Sequence, residues 1–502
     1  MFGGLPSELG LLTALTHLDL SRSDIKGTIP TEVGELTELK VLHFSGYYIW
    51  DDYLSRYVQF GRLSGSFPSS IGNLTKMESL ALSGNVFTGV LPAGLYDMEN
   101  LTYLALDRSS LSGPISLLIG RLSNLEVLSF EGNFISGTIP PSIGNLTSLK
   151  VFDARANRLK GAVPDGFYGM TGLEHFVISY NSLTGTIPPS IGNLTLLKVI
   201  DAEGNGLDGE LPDAFHGMTD LEQLLIKGNS FTGAIPRSIG KLASLAIFSA
   251  DSNLLSGTLP DKFHNMGRLE EFHVSFNSVA GSVPPSVGNL VSLEAFFARG
   301  NELNGTLSDD FYAMESLTEF YCDGNSLSAS ISPPIGNLRN LEAFDVGRNS
   351  LVGSLPPSIG KLTSLRKLDV SSNMLSGTLP DDLYDMDKLT SFRLSFNALS
   401  GTVSSLVGRL TNLEDFSIQR NSFAGTLPTE LADLKNLTII FTSWNDFTGA
   451  TDEGFCELDR LWMFYADCGP TNVTGPPAVE CACCTKCCDT ARRGDWDACG
   501  RN

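Results

Sequence analysis

The stretch GTIPPSIGNLTSLKVFDARANRLK, residues 137–160, returns 48 residues later as GTIPPSIGNLTLLKVIDAEGNGLD, residues 185–208. Self-alignment of the 502-residue chain gives a period of 24 residues, whose strand-start positions run from Leu15 to Leu461. One step departs from this period, because Leu39 and Met77 are 38 residues apart. Such a period indicates one structural unit stacked many times rather than several separate globular domains.

Each unit follows the pattern L-x-x-L-x-L-x-x-N-x-L-x-G-x-I-P-x-x-I-G-x-L-x-x. The L-x-L segment has the period of a strand, so its leucines point inward and its x residues point outward. A single unit cannot bury its own leucines, whereas stacked units share a continuous core. The pattern therefore predicts an α/β repeat solenoid built around a parallel β-sheet.

Two columns of the repeat are predicted to be structural. The Asn of each unit is expected to bond the backbone of the turn with its side-chain amide, because buried turn backbone needs such partners. The second inward strand position is largely Phe after residue 150, which predicts a stacked core rather than an aromatic relay. Cys322 takes an inward strand position and is expected to be a buried free thiol. The Phe column comprises Phe152, Phe176, Phe248, Phe272, Phe296, Phe320, Phe344, Phe392 and Phe416.

The G-x-I-P extension after N-x-L, as in NFISGTIPPSIGNL (133–146), resembles the plant-type leucine-rich repeat. That class includes the ectodomains of plant receptor-like kinases and polygalacturonase-inhibiting proteins. The resemblance covers residues 1–460 and implies a right-handed superhelix, a parallel sheet on the concave face and a second short strand at G-x-I-P. The usual cysteine-paired N-terminal cap is absent, and no kinase or transmembrane segment follows the repeats, so the resemblance does not establish a receptor.

The repeat boundaries predict three regions. Residues 1–14 are a repeat fragment without its N-terminal cap, and FGGLPSELG reads as the middle of a unit, so we expect upstream sequence to be missing. Residues 15–460 form an array of about 18 units with an insertion at 47–60. Residues 461–502 hold a last partial repeat and a Cys-rich C-terminal cap.

Charge and hydropathy narrow the classes of partner. The net charge is −22 and the pI is about 4.6, which argues against nucleic acids and anionic membranes and suits basic partners or cations. No apolar run approaches the roughly 18 residues of a membrane-spanning helix. We therefore predict no transmembrane segment in this chain.

The cysteine-rich tail has two interpretations. Eight of the nine cysteines lie between Cys456 and Cys499, an even number that suits a disulfide cap on the last repeat. Clustered thiolates can also bind zinc or copper, and spacing alone does not exclude this. The predicted cap comprises Cys456, Cys468, Cys481, Cys483, Cys484, Cys487, Cys488 and Cys499.

Seven N-x-S/T sequons favour the disulfide interpretation, because glycosylation sites and disulfides both belong to an oxidising secretory compartment. We thus expect an extracellular protein or an ectodomain, with no metal and no cofactor. The C-x-C-C-x-x-C-C pattern also resembles the tails of secreted repeat proteins of diatoms and related algae. The sequons are at Asn73, Asn100, Asn145, Asn193, Asn304, Asn436 and Asn472.

Three features could bind a ligand on the concave face or beside it. Exposed aromatics next to a cation resemble an interface hot spot, although scattered surface aromatics are common. The candidate residues of this cluster are Phe276, Phe297, Arg299, Glu319 and Tyr321. A second cluster, Phe441, Trp444 and Tyr465, either binds or packs under the disulfide cap.

The insertion YYIWDDYLSRYVQF (47–60) holds six aromatics and must loop off the solenoid, because it interrupts a unit where the Asn should be. Loops on rigid frames are favoured binding sites, so its candidate ligand-binding residues are Tyr48, Trp50, Tyr53 and Tyr57. The alternative is that these aromatics cover the N-terminal edge of the array.

A Ser/Thr row after the Gly of G-x-I-P could match an ordered surface such as ice or polysaccharide, or could reflect β-propensity in the second strand. The row comprises Thr138, Thr186, Thr258, Ser282, Thr306, Ser330, Ser354, Thr378, Thr402 and Thr426.

Catalysis has little support, since the histidines fit no metal-binding or triad-like local motif and no phosphate loop is present. We expect a non-catalytic recognition protein that binds a protein, a peptide or a cell-wall glycan on the concave face, receptor-like or inhibitor-like. The alternative is a structural protein of the wall or matrix, or a surface-binding protein, ice-binding included.

Overall fold

The computed structural model describes residues 3–46, 48–51, 56–59, 61–263, 265–467, 479–481, 483–488 and 499–501. Two compact units divide the chain, Met1–Leu254 and Leu255–Asn502. We call them unit 1 and unit 2.

In unit 1 the L-x-L segments form short parallel strands, which we call the first sheet. Neighbouring strands pair in register one repeat apart, so that Phe152 lies opposite Leu128 and Phe176. The period thus sets both the topology and the register, since a shift by one residue would expose the leucines. The strands are His17–Asp19, Val41–His43, Ser79–Ala81, Tyr103–Ala105, Val127–Ser129, Val151–Asp153, His175–Val177, Val199–Asp201, Gln223–Leu225 and Ile247–Ser249.

A second row of parallel strands in unit 1 occupies the segment that leads into G-x-I-P. These strands are Lys26–Gly27, Arg62–Gly65, Val86–Gly89, Ser110–Pro114, Phe134–Gly137, Arg158–Gly161, Ser182–Thr186, Gly206–Glu210 and Ser230–Thr232. The insertion adds an antiparallel pair, Tyr48–Asp51 with Arg56–Gln59.

Unit 2 repeats this arrangement. Its first sheet comprises Glu271–His273, Ala295–Phe297, Glu319–Tyr321, Ala343–Asp345, Lys367–Asp369, Ser391–Arg393, Asp415–Ser417, Ile439–Phe441, Met463–Ala466, Lys486–Cys488 and Cys499–Arg501. The last of these strands runs antiparallel to Lys486–Cys488. The second row comprises Ala280–Ser282, Glu302–Gly305, Ser326–Ala329, Ser350–Gly353, Met374–Gly377, Ala398–Gly401, Ser422–Gly425 and Asp446–Phe447, and Gly449–Ala450 pairs with Val479–Glu480.

In most of the described repeats the helical part is a single 3-10 turn, which usually follows the Pro of G-x-I-P. Pro140, for example, lies just before Pro141–Asn145 with φ −74°, the value to which its ring confines it. Ile143 and Leu146 are three residues apart and fully buried, which suits three residues per turn. Within the described residues no helix has both the length and the hydrophobicity needed to cross a membrane.

These 3-10 helices are Ser7–Leu11, Thr31–Glu35, Ser69–Asn73, Ala93–Asp97, Leu117–Arg121, Pro141–Asn145, Asp165–Gly169, Pro189–Asn193, Asp213–Gly217 and Arg237–Lys241 in unit 1. In unit 2 they are Pro285–Asn289, Asp309–Ala313, Pro333–Asn337, Pro357–Lys361, Asp381–Asp385, Ser405–Arg409, Thr429–Asp433 and Glu453–Glu457.

The Asn column bonds the turn backbone, as the sequence predicts. Asn157 donates from Nδ2 to the carbonyl oxygens of Phe130 at 2.9 Å and Ala154 at 3.2 Å, and its Oδ1 accepts from the N–H of Ile135 at 2.9 Å. One side chain therefore satisfies backbone groups of its own repeat and of the repeat before it. This sharing links successive repeats in addition to the strand pairing.

The Phe column is a stacked core, which confirms the structural interpretation. In unit 2 the rings of Phe296, Phe320 and Phe344 are fully buried, with centroids 5.5 and 5.7 Å apart. Cys322 is also fully buried and free, as predicted. Burial raises the pKa of its thiol, so this cysteine stays protonated and behaves as a small apolar side chain.

The Ser/Thr row is exposed along its whole length. The β-propensity interpretation applies to Thr186 and Ser282, which end second-row strands. Thr258 makes an isolated bridge with Ala280, and the other members follow the last residue of a strand. Most of the row is therefore surface loop rather than strand.

Candidate functional site

A stack of three aromatic rings lies on the outward side of the first sheet of unit 2. The strand register places His273, Phe297 and Tyr321 side by side. The His273 and Phe297 rings are 4.5 Å apart and those of Phe297 and Tyr321 are 5.0 Å apart, both with interplanar angles of 17°. We call these three residues the ring stack. Each is half-buried, and both faces of the central Phe297 ring are covered by its neighbours.

Arg299 covers the far side of the ring stack. Its guanidinium lies 4.1 Å from the Tyr321 ring centroid, and its nitrogens contact Asp323 at 2.8 Å and Asp345 at 3.2 Å. Lys367 contacts the same Asp345 carboxylate at 2.7 Å and lies 4.9 Å from the Tyr321 ring. These cations hold Tyr321 from one side while their charges are balanced by nearly buried carboxylates.

The other two predicted members of the cluster lie apart from the ring stack. Phe276 is 61% exposed and sits in the turn after the strand, with φ 57°, where its ring covers Gly300. A Cβ on Gly300 would lie 3.0 Å from that ring, so glycine permits the contact. Glu319 lies on the strand of Tyr321, two residues earlier and half-buried. The predicted cluster therefore divides into a stacked core and two flanking positions.

Glu319 also affects the chemistry of Tyr321. Burial raises the pKa of the Tyr321 hydroxyl, and the Glu319 carboxylate raises it further, whereas Arg299 opposes the shift. The hydroxyl thus remains protonated at neutral pH and can donate a hydrogen bond from the edge of the stack.

Sequence reasoning did not name Asp323 or Lys367 as parts of this site. The 24-residue period could have placed both residues near the site. Asp323 is 24 residues after Arg299, and Lys367 is 48 residues after Glu319. The second aromatic cluster also forms, with Phe441 and Tyr465 4.7 Å apart and Trp444 only 3% exposed. Lys486 lies 5.2 Å from the Tyr465 ring, so this cluster packs against the chain of the cap.

The backbone of the insertion in unit 1 forms a hairpin. Its register opposes Trp50 to Tyr57 and Tyr48 to Gln59. Tyr53, another candidate residue, lies outside the described residues. At the base of the hairpin, a Cβ on Gly46 would lie only 2.6 Å from the Cα of Gly61, so the two glycines bring the ends of the insertion together.

Comparison with known proteins agrees with this architecture. Family models described as leucine rich repeat match residues 339–399, and residues 124–146 and 172–194. No curated protein matches the sequence significantly. The structure of the plant peptide hormone receptor RGFR1 in complex with RGF2 is 30% identical, with a TM-score of 0.80 over 91% of this chain and 79% of that one. This chain is a plant-type leucine-rich repeat protein.

Two further structures resemble this leucine-rich repeat protein. The Arabidopsis receptor kinase HAESA ectodomain, in complex with an N-terminally extended IDA peptide hormone, is 27% identical with a TM-score of 0.85, covering 96% of this chain and 81% of that one. The ectodomain of GASSHO1/SCHENGEN3 from Arabidopsis thaliana, in complex with CASPARIAN STRIP INTEGRITY FACTOR 2, is 25% identical with a TM-score of 0.68, covering 95% and 71%.

Disulfides tie the tail of this leucine-rich repeat protein to its last repeat. Cys456 bonds Cys483, and Cys481 bonds Cys484. Cys487, Cys488 and Cys499 lie in the last two strands, and Cys468 lies outside the described residues. Among the residues that the structure describes, no group of three or more His, Cys, Asp or Glu side chains could hold a metal ion.

Most sequons of this leucine-rich repeat protein are on its surface. Asn73, Asn100, Asn145, Asn193 and Asn304 are exposed, Asn436 is half-buried, and Asn472 lies outside the described residues. The amide of Asn436 donates to the carbonyl oxygen of Thr411 at 3.0 Å, and a glycan at Nδ2 would leave this nitrogen one N–H with which to donate. Modification of these sequons remains a prediction.

Proposed function

We propose that this leucine-rich repeat protein is a non-catalytic recognition protein that binds a peptide or protein segment on the first sheet of unit 2, at the ring stack. It works outside the cell, as a secreted protein or an ectodomain. The observation that carries the proposal is the ring stack itself, a rigid aromatic surface on three neighbouring strands of this sheet with fixed cations on one side.

The geometry of the rings favours peptides over glycans. Sugars pack on the open faces of aromatic rings, but both faces of Phe297 are covered, by His273 and by Tyr321. The free face of Tyr321 carries Arg299. Ring edges and the Tyr321 hydroxyl instead offer apolar contact and hydrogen bonding, which suit side chains and an extended backbone.

The relatives support this class of ligand. The RGFR1 structure and the HAESA structure are complexes with peptide hormones, and both match this chain over most of its length. The disulfides support the proposed compartment, because such bonds persist in oxidising surroundings. The insertion 47–60 is proposed as a second contact surface, carried on the frame of unit 1.

A display selection tests the proposal. The purified chain is used to select binders from a random 12-residue peptide library, and selected peptides are measured against Phe297→Ala and against Phe134→Ala. Phe134 is a matched control, because it is a partly exposed Phe (44%) in a second-row strand of unit 1. We expect Phe297→Ala to weaken binding at least about tenfold, as for a hot-spot aromatic, and Phe134→Ala to leave it unchanged.

Two results would overturn the proposal. One is a failure to select any peptide while the same protein binds a cell-wall glycan array. The other is a set of selected peptides that bind Phe297→Ala as tightly as the natural chain, since that would remove the ring stack from the site.

A further inference from the structure

We infer that the ligand of the ring stack is basic, and that one of its Lys or Arg side chains binds between Glu271 and Glu319, over Ala295. This inference rests on the proposed function and names the chemistry of its partner.

The strand register builds the binding notch. Glu271, Ala295 and Glu319 are direct neighbours across three strands, one row to the side of the ring stack. With strands about 4.8 Å apart, the two glutamates flank the alanine from either side. Ala295 has no side chain beyond its Cβ, so the side chain at the centre of this row is short and the two at its ends are long. The notch is therefore open toward solvent and bordered by carboxylates.

The carboxylates of the notch are not neutralised by the protein. Within the described residues, no cation lies within ion-pair distance of Glu319, or of the exposed Glu294 just before Ala295. Glu271 contacts His273 alone, at 3.1 Å, and its side chain is 45% exposed. A cation from outside would thus be the first strong partner for these groups.

The opposite side of the ring stack has three cations for two carboxylates. Asp323 is paired with Arg299 and with Arg348, the latter at 2.6 Å, and Asp345 is paired with Arg299 and Lys367. The carboxylates beside the stack that no strong cation of the protein pairs are therefore those of the notch. At the notch they favour a basic group of the ligand and disfavour a phosphorylated or acidic one.

The ring stack explains why the cation should belong to a long side chain. Both faces of the Phe297 and Tyr321 rings are covered, so an incoming cation cannot lie on them as it would in a cation–π contact. The edges of Phe297 and Tyr321 can instead pack against the methylene stem of Lys or Arg while its charged head reaches the carboxylates. The net charge of −22 adds long-range attraction for the same ligands.

The test uses two synthetic libraries of 12-residue peptides with equal apolar content, one carrying net charge +4 and one −4. We expect the natural chain to retain the +4 peptides, with affinity that falls as salt is raised. Glu271→Gln and Glu319→Gln should each weaken binding about threefold to tenfold, which is the range for a partly exposed, charge-assisted contact. Glu319→Lys should abolish binding of the +4 peptides.

The matched control is Glu342→Gln. Glu342 lies just before the strand Ala343–Asp345 of the same sheet, its side chain is 52% exposed and it is already paired with Arg366 at 3.4 Å, so its neutralisation should leave binding unchanged. If the Phe297-dependent peptides come from the −4 library, or if Glu319→Gln binds the +4 peptides as well as the natural chain does, the basic-ligand inference is wrong and the proposed function stands. If neither library contains a Phe297-dependent binder, the proposed function itself fails.

Discussion

The side-chain oxygen of Asn85 accepts a hydrogen bond from the backbone N–H of Leu63 at 3.1 Å. The amide nitrogen of the same side chain donates to the carbonyl oxygen of Phe44 at 2.8 Å. Phe44 and Leu63 lie on opposite sides of the insertion 47–60, so one buried Asn joins the chain entering the hairpin to the chain leaving it. The repeat array therefore continues past the insertion through the bonds that every Asn of the column makes.

We expect Asn85→Ala to lower the local stability at the base of the hairpin by about 2–4 kcal/mol, because it leaves buried backbone groups without partners. The control is Asn157→Ala, which removes the same bonds in an uninterrupted repeat. Hydrogen exchange monitored by mass spectrometry measures the local stability of both variants. Protection should fall at residues 41–46 and 61–67 in Asn85→Ala alone, and unchanged exchange there would contradict the structural role of Asn85.

Deletion of residues 47–60 should leave the repeats folded. Gly46 and Gly61 approach so closely that a Cβ on Gly46 would meet the Cα of Gly61 at 2.6 Å, so the cut ends lie close enough to be joined directly. We expect the same far-UV circular dichroism and a Tm within a few degrees of the natural chain.

The control for this deletion is Gly61→Val in the full chain. A Cβ at position 61 would lie within 2.9 Å of the Asn85 side-chain oxygen, so this variant should be clearly destabilised. A deletion variant that aggregates, beside a stable Gly61→Val, would show that the insertion is integral to the fold of unit 1.

Asp369 should make stability depend on pH. Burial raises the pKa of its carboxyl group, and the Asp345 carboxylate raises it further, whereas hydrogen bonds from Ser371 oppose the shift. The folded state therefore holds its proton to higher pH than the unfolded state does. The stabilisation is complete below the ordinary Asp pKa of about 4 and is lost as pH rises through the folded value.

The variant Asp369→Asn removes this titration. We expect its Tm to fall less than that of the natural chain between pH 4 and pH 7, as followed by circular dichroism. The exposed Asp382→Asn serves as the control and should reproduce the natural profile. Parallel profiles for Asp369→Asn and the natural chain would contradict the assignment.

The eight cysteines of the tail should form four disulfides. Cys456–Cys483 and Cys481–Cys484 are two of them. The other four cysteines of the tail are an even number, so we expect them to form the remaining two bridges.

Peptide mapping without reduction tests this pairing, and the intact mass should rise by about 8 Da on reduction if all four bridges form. Cys322 is the internal control, since it should react with an alkylating reagent only after unfolding. Alkylation of tail cysteines in the native protein would contradict the four bridges. Zinc or copper retained after dialysis would favour the metal interpretation of the tail.

The repeat by itself determined which residues are buried and which strands are neighbours. Leucines and phenylalanines recur every 24 residues, and the only way to bury all of them is to stack the repeats in register. For this reason Phe320, Cys322 and Asn157 could be assigned to core or turn from the sequence alone. The same period predicted that Phe297 and Tyr321 lie on adjacent strands.

Side-chain conformation and chain path were decided by the tertiary structure. The period does not predict that the Phe297 ring stacks between those of His273 and Tyr321. It also does not predict that Arg299 pairs with Asp323 and Asp345. The contact of the Phe276 ring with Gly300 is likewise not predicted. These contacts depend on side-chain rotamers and on which of several nearby charges form ion pairs. Both differ from repeat to repeat. Likewise only the folded chain shows that Asn85 spans the insertion, because its partners Phe44 and Leu63 become neighbours only when the hairpin closes.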